Sequence, residues 1–106
     1  MNKYDSLKEN IRELAAAFIS KNSNRQSLIT VTDVEISNRG NQAIIKISVL
    51  PESEEKKAFE FVSRQMHDFK IHVQEHSRIS RIPFFSVQID KGEKNRQKID
   101  EITSKI

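Results

Sequence analysis

The run Val31-Thr32-Asp33-Val34-Glu35-Ile36-Ser37, followed after a short polar interval by Ala43-Ile44-Ile45-Lys46-Ile47-Ser48-Val49-Leu50, decides the fold. Both runs are rich in Val, Ile and Thr, residues that pack well on a pleated surface. In the second, Ala43, Ile45, Ile47 and Val49 share one parity and leave Lys46 and Ser48 on the other, the two-residue period of a strand buried on one face. The first, taken over residues 28–36, alternates imperfectly: Ile29 and Val31 fall on one parity, Val34 and Ile36 on the other. A bulge near Thr32 and Asp33 reconciles the two halves, as does a strand partly covered on both faces. Asp33 and Glu35 share a parity and are expected on an exposed sheet face. Between the runs, Ser37-Asn38-Arg39-Gly40-Asn41 is a turn in which Asn38 and Gly40 can take positive φ. The pair is therefore expected to form a strand–turn–strand unit.

Upstream, residues 6–20 have the pattern of an amphipathic helix. Leu7, Ile11, Leu14 and Phe18 recur at steps of four, three and four, so they share a face. Ala15, Ala16 and Ala17 add helix propensity, and Ser6-Leu7-Lys8-Glu9 fits a capping box at the start. The polar cluster Lys21-Asn22-Ser23-Asn24-Arg25-Gln26 ends the helix as a loop. Downstream, Pro51 stops the second strand and Ser53 is placed to cap the next helix. There Phe59, Val62, Met66, Phe69 and Val73 repeat at three, four, three and four. A single rod over 54–76 would span about 35 Å, longer than the roughly 30 Å width of a compact domain this size. A kink or break near Gln65–Asp68 is therefore expected, although neither Gly nor Pro marks it.

Ser77-Arg78-Ile79-Ser80-Arg81-Ile82-Pro83 leads into a last strand, Phe84–Ile89, with Phe85, Val87 and Ile89 inward. Pro83 stands at its start, where a missing N–H does least harm. The remaining residues, 91–106, are polar, with Ile99 and Ile102 able to anchor a short closing helix. The fold class is thus α+β, in the order helix–strand–strand–helix–helix–strand: a KH-like type II domain with helices on one face of a three-stranded sheet. A single domain over 1–106 is expected, its core at about 5–90.

Composition narrows the function. The chain has 106 residues, 36% hydrophobic and 31% charged, enough for one modest core under a well-solvated surface. No apolar run approaches the roughly 20 residues of a membrane helix, and the first residues lack a signal-peptide pattern. Zero cysteines exclude disulfides and thiolate metal sites and fit a cytoplasmic location. With only Gly40 and Gly92, neither a Gly-rich phosphate loop nor the GXXG loop of an RNA-gripping KH domain can be built. The formal net charge of +3 permits a phosphate-rich partner.

In order and spacing, the wording of Val31–Ser37, the strand ending Ser48-Val49-Leu50, Arg81-Ile82-Pro83 before a strand closing on Asp90, and the interval from Asp90 to Ile99 and Ile102 resemble the ribosome-binding factor A family. The resemblance spans roughly Leu7 to Ile102. Two features depart from it. The family's kink of small residues, Ala-x-Gly, aligns with Met66-His67-Asp68, and the loop Asn22–Ser27 lacks the family's usual Pro and Gly. The resemblance implies a non-enzymatic factor without cofactors. Such a factor binds the immature small ribosomal subunit and its ribosomal RNA, assists late maturation and rRNA processing, and matters most in the cold. A monomer with neither membrane nor small-molecule partner is expected.

Basic side chains suited to phosphate contact fall in three groups. Arg64, His67, Lys70, Arg78 and Arg81 lie on or after the second helical stretch; Lys3, Lys8 and Arg12 belong to the first helix; Lys91, Lys94 and Arg96 lie in the tail. Phosphate contact asks only for positive charge in range, so their spacing is undemanding. Exposed aromatics for base stacking are few, Tyr4 and Phe84, which favours recognition of folded RNA shape over single-strand reading. Lysine and arginine that merely solvate a small domain produce the same inventory. His72-Val73-Gln74-Glu75-His76 matches the inverted zinc-protease pattern H-x-x-E-H, with His72 and His76 one helical turn apart. A hydrolase also needs a third ligand and a substrate cleft, so chance placement on an exposed helix is the simpler account, and no metal site is expected. No nucleophile elbow or paired carboxylates appear. Two further readings stand beside the assembly factor: a general RNA-binding or protein-interaction module on the same scaffold, and a small metal-dependent hydrolase.

Overall fold

The computed structural model describes residues 4–22 and 27–92. Helix α1 (Asp5–Asn22) is followed by strands β1 (Leu28–Ile36) and β2 (Gln42–Leu50), a single 3₁₀ turn (Glu52–Glu54), helix α2 (Glu55–His76) and strand β3 (Phe84–Ile89). The strands form one sheet in the order β1-β2-β3. β1 and β2 pair antiparallel, and β2 and β3 pair parallel, as the long crossover through α2 allows.

The parity switch in β1 is a bulge. Val31 lies opposite Ile47 and Asp33 opposite Lys46, so Thr32 is the extra residue. It lets Val31 and Val34 both face the helices and be buried. Thr32 Oγ1 donates to Asp90 Oδ2 at 2.5 Å and lies 3.3 Å from the Lys46 carbonyl, tying the bulge across β2 to the end of β3. In the turn only Gly40 takes positive φ, at 72°, and Asn38 does not. A Cβ on Gly40 would come within 3.0–3.1 Å of the Tyr4 ring and hydroxyl.

The core lies between the sheet's inner face and the helices. Ile11, Ala15 and Ile19 of α1, Ala43, Ile45, Ile47 and Val49 of β2, and Ala58, Val62, Met66, Phe69 and Val73 of α2 are all buried. Leu7, Leu14 and Phe18 pack at its margin. Phe69 joins the two helices and β3, with ring centroids 5.4 Å from Phe18 and 4.8 Å from Phe85.

Three local expectations are corrected. The break near Gln65–Asp68 is absent: α2 runs 22 residues as one element. The compact sphere was the wrong gauge, because nine-residue strands span about 30 Å and a layered slab accommodates a helix of about 33 Å. Its buried stripe also continues through Met66 without losing phase. Ser53 does not cap α2, since Glu54 N–H donates to the Pro51 carbonyl at 3.0 Å and winds the chain around Ser53 in the preceding 3₁₀ turn. Ser6 sits inside the first turn of α1 rather than at its cap, because Lys8 N–H already donates to the Tyr4 carbonyl at 2.8 Å. The Ile99–Ile102 helix and the loop at 23–26 fall outside the described residues.

Candidate nucleic-acid interface

Lys8, Glu9 and Arg12 of α1 and Asp33 and Glu35 of β1 are held in ion pairs. Lys8 Nζ meets Asp33 Oδ1 at 3.1 Å, and Arg12 meets Glu9 at 3.6 Å within one helical face. Across the ladder Lys46 meets Glu35 at 2.7 Å. Asp33 and Glu35, paired opposite Lys46 and Ile44 beyond the bulge, share the face turned from inward Val34, as their parity predicts; Lys8 reaches Asp33 from α1, and Glu35 reaches Lys46. Partial burial works to raise the Asp33 carboxyl, but the Lys8 ammonium and the Val34 backbone N–H outweigh it and the pKa is lowered. The Glu35 carboxylate raises that of Lys46. Lys8 and Arg12 thus meet any phosphate in competition with a neighbouring carboxylate.

The second group is differently placed. Arg64, His67 and Lys70 are exposed on α2, and Arg78 and Arg81 are exposed in the connection to β3. Among the described residues, Arg64, Lys70, Arg78 and Arg81 make no ion pair. His67 and Lys70 share a groove of about 540 Å³ between α2 and β3, to which α2 also contributes Phe59, Ser63 and Met66, and β3 contributes Phe84 to Val87. Arg64 stands one helical turn from it. Arg78 belongs elsewhere, in a cleft with Asn10, Glu13, Leu14 and His76. Lys91 is exposed just past β3, whereas Lys3, Lys94 and Arg96 lie outside the described residues.

Phe59, placed in the core stripe by its spacing, lines the groove instead. Ala58 takes the core position, a swap already hinted at by its four-residue step to Val62. Phe84 is 68% exposed on the sheet face turned from the helices. Tyr4 is half-buried, its hydroxyl donating to the Asn38 carbonyl at 3.3 Å.

The H-x-x-E-H residues do not converge on a common point. The His72 and His76 rings stack at a centroid distance of 4.2 Å, with His76 Nδ1 3.0 Å from the His72 carbonyl. His72 also packs against Phe18 at 5.2 Å. Its burial there, then the nearby charges of His76 and Lys21, lower its pKa. Among the described residues no three His, Cys, Asp or Glu side chains are grouped to hold a metal, and no helix is long and apolar enough to cross a membrane.

No family model matches the sequence, and no curated protein sequence does. Solved structures do. The crystal structure of ribosome-binding factor A from Thermus thermophilus superposes with a TM-score of 0.70 at 20% identity, covering 79% of this chain and 91% of that one. A Thermotoga maritima protein provisionally assigned as a ribosome binding factor A gives 0.66 at 21% identity, over 83% and 90%. A homology model of Thermus thermophilus ribosome binding factor A, fitted into a cryo-EM map of its complex with the 30S subunit, gives 0.70 at 20% identity, over 81% and 93%. The α+β architecture built here, a mixed three-stranded sheet with both helices on one face, is the fold of ribosome-binding factor A.

Proposed function

We propose that this protein is a ribosome-binding factor that docks on the immature small ribosomal subunit, contacts its ribosomal RNA and assists late maturation. The observation that carries the reading is the pairing of this fold with cations on and after α2 that make no ion pair among the described residues. A cation already paired gives up one favourable interaction to gain another, whereas an unpaired one gains the full release of counterions from the phosphate it meets. Arg64, Lys70 and Arg81 are the residues we assign to RNA, with Arg78 as a separate contact beside α1. With Phe84 the one widely exposed Phe or Tyr side chain among the described residues, recognition rests on RNA shape and backbone rather than on stacked bases. The protein acts as a cytoplasmic monomer and performs no chemistry of its own.

The test is a sucrose gradient of cell lysate probed for the protein, repeated at rising salt. The expected result is co-migration with small subunits, and less with whole ribosomes, that declines steeply as salt increases. Migration only in the free fractions at low salt would overturn the reading.

A further inference from the structure

The sheet has two edges, and they are built differently. The β1 edge carries the Thr32 bulge and two carboxylates, Asp33 and Glu35, both devices that discourage another strand from pairing. The β3 edge, Phe84-Phe85-Ser86-Val87-Gln88-Ile89, carries no charge and no proline, and its register with β2 is uninterrupted. Phe84 N–H donates to the Asn41 carbonyl at 2.9 Å and Asp90 N–H to the Ile47 carbonyl at 2.8 Å. In a parallel ladder this assigns the backbone groups of the even-numbered residues to β2 and directs those of Phe85, Val87 and Ile89 to the open edge. The groove beside α2 runs along that same edge, and its walls at Phe59, Met66, Phe85 and Val87 are apolar.

We propose that the groove between α2 and β3 receives an extended segment of a partner protein, which adds to β3 as a fourth strand and presents an acidic side chain to Lys70. An extended polypeptide is the chemical complement of the edge. It supplies N–H and C=O groups at the two-residue repeat of Phe85, Val87 and Ile89, and alternate side chains that reach the apolar walls. The charge follows from the rim: no carboxylate lines the groove, and Lys70 is without an ion pair among the described residues. A nucleotide strand would satisfy Lys70 with a phosphate, but its sugar–phosphate backbone supplies no N–H donors in register with the edge carbonyls. The proposal goes beyond the ribosomal reading but shares Lys70 with it, so peptide and RNA compete for that one cation; its test uses no ribosomes, so either reading can fail alone.

The experiment selects random ten-residue peptides displayed on phage against the purified full chain. Binding of synthetic copies is then measured, together with amide hydrogen exchange of the protein. Enriched peptides are expected to carry apolar residues at alternate positions and an Asp or Glu. The Phe85, Val87 and Ile89 amides should exchange quickly in the free protein, unlike those of Ser86 and Gln88, and slow when peptide binds. Val87→Pro removes one outward N–H and leaves the β2 ladder intact; it should weaken binding about tenfold, the cost of one unmet hydrogen bond. Should that variant lose its circular dichroism signal, N-methylation of alternate peptide amides asks the same question with the protein unchanged. Lys70→Glu should shift the selected peptides from acidic to basic. The proposal is overturned by failure to enrich any peptide, by helical spacing in those enriched, or by binding indifferent to the edge amides. Protection of those amides in the isolated chain would mean that its own residues occupy the groove. Their protection by a ten-nucleotide uridine RNA but not by peptide would assign the groove to nucleic acid, and either result also overturns the proposal.

Discussion

On the α1–β1 side, Lys8 meets Asp33, Arg12 meets Glu9, and Lys46 of the neighbouring strand meets Glu35; on the α2–β3 side, Arg64, Lys70 and Arg81 are exposed with no carboxylate in ion-pair range among the described residues. The edges repeat the contrast, bulged and acidic at β1, uncharged and regular at β3. Exposed ion pairs contribute little to stability, about 0.2–1 kcal/mol each, so the difference is not chiefly about holding the fold. It concerns availability. Among the described residues, Lys8, Arg12 and Lys46 have carboxylate partners and the β1 edge is bulged, whereas Arg64, Lys70 and Arg81 have none and the β3 edge is regular.

The strongest way to break the comparison is to unlink the halves at Phe69, whose ring meets Phe18 on one side and Phe85 on the other. Phe69→Ala should lose about 3–5 kcal/mol in urea unfolding, the usual cost of emptying an aromatic core position. That is a large share of a typical domain's total. A loss below about 1 kcal/mol would mean the two helices do not share one core. Gly40→Ala comes next, at about 1–3 kcal/mol, because a Cβ at φ 72° is strained and would press on Tyr4. Its effect belongs to the hairpin and should leave ribosome binding per folded molecule unchanged.

Smaller effects sharpen the contrast. Lys8→Gln should destabilise by about 0.2–1 kcal/mol through the loss of Asp33, while Lys70→Gln should be neutral; equal effects would erase the distinction between paired and unpaired cations. The last prediction concerns pH. The pKa of His72 is lowered in the folded state, chiefly by burial beside Phe18 and Phe69, so the unfolded chain takes up the proton first on acidification. Its contribution is full above the unfolded value near 6.5 and is lost as pH falls through the lower folded value. The melting temperature of His72→Phe should therefore fall less between pH 7 and 5 than that of the parent.

What was legible in the sequence follows from what is local. The parity switch from Val31 to Val34 points to a bulge near Thr32 and Asp33 or to cover on both faces, because alternation registers one inserted residue directly, and the register selects the bulge at Thr32. The alternation of Ala43 to Val49 likewise identified the buried face of β2. What escaped depends on long-range geometry. The extent of α2 is legible, but its continuity through Gln65–Asp68 is not, because a spherical envelope is the wrong gauge for a slab. Ser53 has the right chemistry for a cap, yet the exit of the chain from β2 at Pro51 winds a 3₁₀ turn around it. Arg12, Arg64, Lys70, Arg78, Arg81 and Lys91 are exposed and Lys8 is half-buried, but nothing in the spacing of these cations could say that Lys8 has Asp33 beside it and that Lys70 has no such neighbour among the described residues. That distinction needed the bulge, the helix and the strand in place together. The groove was hidden for the same reason: β3 becomes an edge only once the order β1-β2-β3 is known.

The most direct measurement compares two charge-removal variants in the same small-subunit binding experiment across a salt series. Replacing Arg64, Lys70 and Arg81 with Gln should flatten the dependence of log affinity on log salt by about 0.7–0.9 for each cation that contacts phosphate. Replacing Lys8 and Arg12 should change it little. If the two variants lose affinity and salt dependence alike, or the α1 variant loses more, the α2–β3 side is not the face this protein turns to the ribosome.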